Sequence, residues 1–176
     1  MTWDCDHQGE RFVYEEGGVF PRSLVHERFG THPGKGIWVN NSSKTIVAYD
    51  TVTRLECGYE NRRDGDIFLY YGMGPKGNMD INARENQSII KSRQSGHELV
   101  MFSEINRGEM MFVGKFVCLF YRHGVKALDI VANERDAIVF EFTPQFGIEK
   151  FRDLCPPRSC SDPAKRGGWK RIATPL

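Results

Sequence analysis

The stretch "LECGYENRRDGDIFLYYGMGPKGNMD", residues 55–80, combines a strand pattern with an unusual density of aromatic, charged and glycine residues. Its centre, "DIFLYY" (66–71), is the β-branched and aromatic run that is typical of a buried β-strand. Tyr59 and Tyr70 stand beside turn residues, where aromatic rings can offer flat stacking surfaces, and the flanking glycines permit close approach of the backbone. A buried strand therefore explains the centre of the stretch but not its flanks.

Five further runs share the composition of residues 66–71 and are separated by turn signals such as "NNSSK", "RHG" and "NERD". The predicted strands are 36–39, 45–49, 66–71, 98–102, 111–122 and 137–142. Two helices are predicted, at 81–96 and 144–154. Many strands with short turns and a helix inserted midway predict an α+β fold, a strongly curved, partly open β-barrel flanked by a few helices.

Local signals add detail to these elements. Gly114 lies inside the long run 111–122 and predicts a bulge or bend there. The first helix is expected to begin after a cap at Asp80 or Asn82 and to end at Gly96. In the second helix, three apolar side chains are predicted to pack on the sheet: Phe146, Ile148 and Phe151.

The length of 176 residues and the 40% apolar and 27% charged composition are typical of one globular domain, predicted over residues 1–155. Residues 156–176 are predicted to be a basic linker or tail, with Trp169 as an anchor. The span 150–176 holds seven Lys/Arg and two Asp, a net charge of +5, which leaves −4 for the rest. Such a segment suits either a tail that follows a nucleic-acid backbone or a solvated linker.

No apolar run approaches the roughly 18 residues that a membrane span needs, and the first ten residues lack the layout of a secretory signal. A cytoplasmic protein is therefore expected. The five cysteines are an odd number without a framework spacing, which favours reduced thiols over disulfides. An alternative is a structural zinc site, if the two ends of the chain meet, from Cys5, His7, Cys155 and Cys160.

Catalytic motifs are missing from the sequence. It contains no G-x-S-x-G elbow, Walker loop or H-E-x-x-H, and "GMGPKG" (72–77) lacks the Lys-Ser/Thr of a phosphate loop. The histidines do not pair at metal-ligand spacing, and Glu141 has no acid-x-Lys partner. We expect a non-catalytic protein that needs no cofactor.

Binding has better support, because Tyr59 and Tyr70 could stack on a planar ligand. Acids and amides between them could hydrogen-bond the ligand's edge: Glu60, Asn61 and Asp64. Two rings, an edge-reading polar group and a tight backbone wall are what a flipped nucleobase requires. The alternative is that these tyrosines only cap the ends of strands.

The order "GYE…DGDIFLYYGMG…GNMD…RENQSIIKS…GHELVMF…MFVGKFV" resembles the SRA (SET- and RING-associated) domain. It is most similar to the bacterial form found in HNH modification-dependent restriction endonucleases of the McrA type. The matching parts are Gly58 to Asn61, Phe68 to Gly72, Gly74 to Asp80, Asn86 to Ile89 and Gly96 to Phe102. Upstream, Arg22, His26 and Gly36-Ile37 match the start of the bacterial pattern. The resemblance covers residues 20–142.

This resemblance implies a PUA-like barrel that extrudes a base from duplex DNA and stacks it between Tyr59 and Tyr70. The 5-substituent would face Tyr71 and the backbone of Glu56, Cys57 and Gly58. The acid that reads the cytosine edge in the family falls near Asn61 or Arg62, so Glu60 or Asp64 could take over. DNA-backbone contacts are expected from Arg22, His26, Arg62, Arg63, Lys76 and Arg84.

The resulting hypothesis is a reader of 5-methyl- or 5-hydroxymethylcytosine that serves a modification-dependent restriction system. An HNH nuclease, in the same chain or as a partner, would cut the DNA. Two rivals remain open at this stage. One is a PUA-like RNA-binding module that stacks single-stranded bases. The other is a small metal-dependent nuclease, which needs a carboxylate cluster that the sequence does not display.

Overall fold

The computed structural model describes residues 14–51, 59, 61–156 and 170–172. These residues form nine β-strands and three α-helices. The strands are β1 (Val19–Pro21), β2 (Ile37–Asn40), β3 (Thr45–Asp50), β4 (Arg62–Asp64), β5 (Ile67–Tyr71), β6 (Glu98–Asn106), β7 (Glu109–Leu128), β8 (Glu134–Pro144) and β9 (Lys170–Arg171). The helices are α1 (Arg22–Phe29), α2 (Arg84–Ser95) and α3 (Ile148–Leu154).

All nine strands belong to one mixed sheet with the order β2-β3-β6-β7-β8-β5-β4, while β1 and β9 pair with β7. Only β3 and β6 run parallel among these pairs, with Val47 opposite Val100, and α2 lies in the crossover between them. The described strands β2 and β4 end the order without pairing to each other, so the sheet is not closed. The predicted α+β class and partly open sheet are confirmed.

The core lies on both faces of the sheet. Along β3, Ile46 and Ala48 join a large cluster that includes Ile89 of α2 and Phe151 of α3. The alternate residues Val47 and Tyr49 join a second cluster with Val25 and Phe29 of α1. Successive side chains of a strand point to opposite faces, so the apolar centre of β3, residues 46–49, is buried on both faces of the sheet.

Gly114 produces the predicted irregularity in β7. Met101 pairs with Gly114 but Phe102 pairs with Phe112, so β7 carries one extra residue at this point. Gly114 has φ +143°, and a Cβ there would lie 2.4 Å from Cε1 of Phe146. The ring of Phe146 therefore occupies the space that any other residue would need, which explains the glycine.

The six predicted strands are all present, and Gly96 ends α2 in the left-handed conformation as predicted. The predicted cap of α2 is wrong, because the helix begins after Ala83 without a side-chain cap. Asp80 instead accepts the N–H of Asn82 at 2.8 Å and so shapes the turn before the helix. Phe146, Ile148 and Phe151 pack on the core as predicted. Four short elements were not predicted: β1, α1, β4 and β9.

Part of the predicted basic tail joins the sheet. Lys170 and Arg171 form β9 opposite Tyr121 and Phe120, and Ile172 is buried in the core. Trp169 lies outside the described residues, so the anchor that the structure shows is Ile172. The division at residue 155 stays a prediction, but these three residues belong structurally to the domain.

The zinc hypothesis rests mainly on residues outside the described part of the chain, namely Cys5, His7 and Cys160. The fourth proposed ligand, Cys155, is buried in the core. Within the described ranges no cluster of three metal-ligating side chains occurs. In the same ranges no helix combines the length and apolarity required to cross a bilayer.

Candidate functional site

A cavity of about 320 Å³ opens where four segments distant in sequence meet. This volume is near the lower end of small-molecule sites. Its lining residues are Arg22, Pro33, Gly34, Lys35, Gly36, Thr51, Tyr59, Met73, Pro75 and Ile130. An aromatic ring, exposed backbone and two cationic side chains therefore share one concave surface.

Tyr59 is the aromatic residue of the cavity. It is only 6% exposed, and its ring meets Tyr71 edge-on, with centroids 6.4 Å apart. The guanidinium of Arg135 lies over the Tyr59 ring, 5.1 Å from the centroid. Because this cation covers one face, a planar ligand can stack only on the other face.

Arg135 itself is 1% exposed and donates from Nη1 to the carbonyl of Gly74. Its Nε and Nη2 are buried and find no hydrogen-bond partner in the described part of the chain. Burying a guanidinium with so few acceptors is costly. Arg135 thus links Tyr59 to the glycine-rich segment.

Tyr70, the predicted second ring, lies in the core and is not among the cavity-lining residues. It is 0% exposed and stacks on Phe142, with centroids 5.0 Å apart and planes 10° from parallel. Its hydroxyl donates to the carbonyls of Gly36 at 2.8 Å and Tyr49 at 2.9 Å. The structure therefore gives Tyr70 a supporting role at the Gly36 wall, and the Tyr59–Tyr70 sandwich stays a prediction.

The wall at residues 31–36 is held from the core by two tyrosines. Besides the bond from Tyr70, the Tyr49 N–H donates to the Gly36 carbonyl at 2.7 Å. The Tyr49 hydroxyl shares a 2.7 Å hydrogen bond with Thr31, and burial raises the pKa of Tyr49 to about 12. This wall is therefore preorganised before any ligand arrives.

Asn61, a predicted base-edge reader, is engaged inside the protein. It is 1% exposed, accepts the Tyr71 N–H at 2.8 Å and donates to Asp50 at 3.3 Å. Asp50 also accepts from Ser103 at 3.3 Å, so this network ties β3, β5 and β6 together. In this conformation the Asn61 amide is used for positioning β5 rather than presented to the cavity.

The other predicted pocket residues differ in where they lie relative to the cavity. Tyr71 is buried against Tyr59, as a wall residue would be. Asp64 is exposed at the turn between β4 and β5 and is not a lining residue. Burial of Glu141 raises the pKa of Glu141, and the nearby charge of Asp64 raises it further. Four of the predicted residues lie outside the described part of the chain: Glu56, Cys57, Gly58 and Glu60.

Among the predicted DNA-backbone residues, Arg22 lines the cavity and Lys76 is exposed in the adjoining glycine-rich segment. Arg22 also donates to Glu104 at 3.3 Å. His26 is half-buried, bonds Thr31 through Nδ1 at 2.7 Å, and has its pKa lowered by burial and by Arg22 and His32. These residues surround or support one side of the cavity.

The remaining three arginines lie elsewhere. Arg62 is buried in β4, and Arg63 donates to the Gly65 carbonyl at 2.9 Å within the β4–β5 turn. Arg84 borders a separate hollow lined by Phe29, Trp38 and neighbouring residues. The structure thus brings two of the six predicted backbone residues, Arg22 and Lys76, to the cavity rim.

The glycine-rich segment 72–80 is fixed on two sides. Asn86 of α2 accepts the Met73 N–H at 2.7 Å and donates to the carbonyls of Met73 and Asp80. A Cβ on Gly72 would come within 2.7 Å of the Asn86 oxygen, so only glycine fits there. On the other side Met79 donates to the Asp136 carbonyl at 2.9 Å.

Sequence reasoning missed several cavity residues. Lys35 lines the cavity, pairs with Glu85 at 3.1 Å and lies 5.2 Å from the centre of the Trp38 ring. The turn sequence "HPGKG" (32–36) would have suggested an exposed cation beside bare backbone. Ile130, in the β7–β8 connection, and Arg135, which lies over the Tyr59 ring, carry no such local signal, because only the fold brings them near Tyr59.

Comparisons with known proteins agree with this geometry. The family model "ScoMcrA-like, SRA domain" matches residues 16–149. No curated protein matches the chain.

Three solved structures illustrate the structural likeness. The sulfur-binding and SRA domains of ScoMcrA, complexed with phosphorothioated DNA, align with a TM-score of 0.59 at 17% identity, covering 81% of this chain and 43% of that one. The SUVH5 SRA domain with hemimethylated CG DNA aligns with a TM-score of 0.56 at 16% identity, covering 76% of this chain and 89% of that one. The modification-dependent restriction endonuclease TagI aligns with a TM-score of 0.57 at 14% identity, covering 76% of this chain and 50% of that one.

The chain spans less than half the length of the ScoMcrA structures that it matches, 43% of one and 30% of another. At these identities the likeness establishes the fold. The family model adds more, because it covers over half of the chain, from β1 to α3. It spans every described segment that lines the cavity, and the chain therefore belongs to the ScoMcrA-like SRA domain family.

Proposed function

We propose that this domain reads 5-methyl- or 5-hydroxymethylcytosine in duplex DNA by extruding the base into the Tyr59 cavity. One observation carries the proposal: the Tyr59 ring lines a cavity together with the glycines Gly34 and Gly36 and the cations Arg22 and Lys35. A base stacks on an aromatic face, while the duplex it leaves is a polyanion that Arg22, Lys35 and Lys76 attract.

The family context supports modified DNA as the ligand. SRA-domain relatives were solved with phosphorothioated DNA and with methylated CG DNA, and TagI is a modification-dependent restriction endonuclease. We propose that this chain recognises a modified base rather than a sulfur-modified backbone, because an aromatic ring lines its cavity. In this proposal the domain is a non-catalytic reader, and an HNH nuclease in cis or in trans cleaves the DNA.

Equilibrium binding to matched duplexes tests the proposal. The duplexes share one sequence and carry cytosine, 5-methylcytosine, 5-hydroxymethylcytosine, glucosylated 5-hydroxymethylcytosine or a phosphorothioate linkage at one position. We expect one of the first two modified bases to bind at least about tenfold tighter than cytosine, a difference of about 1.4 kcal/mol. Equal binding of all five duplexes contradicts the proposal, and a preference for the phosphorothioate alone assigns the reading to the backbone.

A further inference from the structure

The connection between β7 and β8 carries an exposed apolar tip. Leu128, Ile130 and Val131 are 54%, 49% and 54% exposed. Among the described residues, the other large apolar side chains with such exposure are Val19 and Ile105. Turns normally hold Gly, Asn, Asp or Ser, so three branched apolar residues within four positions call for a partner surface.

Hydrogen bonds fix the backbone of this apolar tip. The Asp129 carboxylate accepts the N–H groups of Val131 at 3.0 Å and Asn133 at 2.9 Å, which closes the turn. Ala132 takes the left-handed conformation, with φ +61°. Asp129 also accepts the N–H of Gly77 at 2.9 Å, and the Ile130 N–H donates to the Pro75 carbonyl at 3.0 Å. The tip and the glycine-rich segment therefore form one preorganised unit.

The position of the tip identifies the kind of surface it meets. Ile130 lines the same cavity as Tyr59, so a ligand that reaches the Tyr59 ring passes beside the tip. Lys76 follows Pro75 directly, and Arg22 and Lys35 line the same opening. An apolar projection within a cationic opening matches the base stack of nucleic acid, which is apolar between bases and bounded by phosphates.

We propose that the tip Leu128–Val131 is a wedge that enters the duplex base stack at the position from which the base is extruded. The inference rests on the proposed function and assigns a second contact to it. Aliphatic side chains placed between base steps compensate for lost stacking in other DNA-deforming proteins. The hydrogen-bonded turn makes such insertion cheap, because no loop has to be ordered on binding.

The test uses the double variant Ile130→Ser/Val131→Ser and, as its matched control, Val19→Ser/Ile105→Ser, which changes two equally exposed apolar side chains away from the cavity. Ile130→Leu/Val131→Leu keeps the apolar character. All proteins are titrated with modified and unmodified duplexes carrying 2-aminopurine beside the modified position. Equal melting temperatures establish that each variant is folded.

We expect the serine variant to lose at least about tenfold in affinity for the modified duplex, with less than about twofold change for the unmodified one. The reporter should brighten with the wild type, the control and the leucine variant, and stay quenched with the serine variant. Unchanged affinity and brightening in the serine variant would overturn the wedge while leaving base reading intact, as expected if the tip docks on protein. An equal loss on both duplexes would also overturn it. If the wild-type protein binds the modified and unmodified duplexes equally well, both the wedge and the proposed function are contradicted.

Discussion

At the scale of single residues, the Tyr59 ring lines the cavity and Arg135 lies over one of its faces, so a base would stack on the opposite face. Stacking of a base on such a face contributes about 1–3 kcal/mol. Extrusion costs a few kcal/mol, so losing the ring should consume most of the preference for a modified base. We predict that Tyr59→Ala abolishes discrimination between modified and unmodified duplexes but retains weak, salt-sensitive binding.

The matched changes are Tyr59→Phe, which keeps the ring and should keep most of the discrimination, and Tyr121→Ala, which removes a half-buried tyrosine that does not line the cavity. Fluorescence anisotropy with both duplexes provides the measurement. A folded Tyr59→Ala protein that still discriminates would remove Tyr59 from the site.

Tyr70 leads to a different prediction from the one its sequence position suggests. Tyr70→Phe removes the hydroxyl that donates to the Gly36 and Tyr49 carbonyls. Because the Gly36 carbonyl keeps the Tyr49 N–H as a donor, the cost is that of one buried hydrogen bond, about 0.5–1.5 kcal/mol. We expect chemical denaturation to show a loss of this size, together with weaker binding of modified DNA, because Gly36 lines the cavity. An unchanged free energy of unfolding would contradict the assigned role.

Residue-level sequence reasoning pointed to Tyr59 and Arg22, which line the cavity, and to Asn61, which does not, and it did not point to Arg135. Aromatic and cationic residues beside turns are recognisable from composition. The role of an amide depends on its neighbours, and Asn61 is engaged by Asp50 and the Tyr71 N–H from two other strands. No local pattern encodes those partners.

At the scale of elements, the β7–β8 connection depends on one carboxylate. The N–H groups of Gly77, Asn133 and Val131 lower the pKa of Asp129. A depressed folded pKa stabilises the fold above the unfolded value, near 3.9, and this contribution is lost as the pH falls through the folded pKa. We predict that Asp129→Asn lowers the melting temperature at pH 7 and that the difference from the wild type shrinks progressively below about pH 4.

Melting curves from pH 7 down to pH 3 provide the measurement, with Asp136→Asn as the control. Asp136 is a half-exposed carboxylate that pairs with Lys126, and a surface pair of this kind contributes little. A difference between Asp129→Asn and the wild type that stays constant across this range would show that the charge of Asp129 does not hold the tip.

The element predictions succeeded where the pattern was long. Five of the six predicted strands hold at least four consecutive apolar residues, and α2 spans twelve residues and ends at Gly96. Helix α1 was missed because only Val25 and Phe29 are buried along its eight residues, too few to establish a helical period. Strands of two or three residues, such as β9 and β1, are defined by their pairing with β7 and not by composition.

At the scale of the whole molecule, the fold brings cationic residues of three sequence segments to one opening: Arg22, Lys35 and Lys76. The chain carries a net charge of only +1, so the proposed DNA affinity depends on where the cations are placed. We predict that Arg22→Ala and Lys76→Ala each weaken binding to modified and unmodified duplexes by the same factor. Each substitution should remove one phosphate contact, so the slope of the logarithm of the binding constant against the logarithm of the salt concentration should become shallower by about 0.9.

Lys126→Ala is the control for this series, because Lys126 is exposed but pairs with Asp136 at 2.8 Å. Arg63→Ala and Arg84→Ala then measure how far the DNA footprint extends from the cavity. Salt slopes identical to the wild type for both Arg22→Ala and Lys76→Ala would place the phosphates elsewhere on the surface.

The overall topology could be predicted only through family resemblance. Strand content indicated an α+β sheet, but the parallel pairing of β3 with β6, and the return of Lys170–Arg171 to β7, depend on contacts between distant segments. The cavity is a product of that topology, since its lining spans residues 22 to 130. Motifs pointed to Tyr59, and the fold supplied its surroundings.

The central claim is that the Tyr59 cavity holds an extruded, modified base. A crystal structure of the domain with a duplex carrying one 5-methyl- or 5-hydroxymethylcytosine tests it most directly. The account predicts the modified base rotated out of the helix and stacked on the face of Tyr59 opposite Arg135, at a spacing typical of aromatic pairs, about 4.5–7 Å between centroids. A complex in which that base stays paired and stacked within the duplex, with the cavity holding no base, would contradict it.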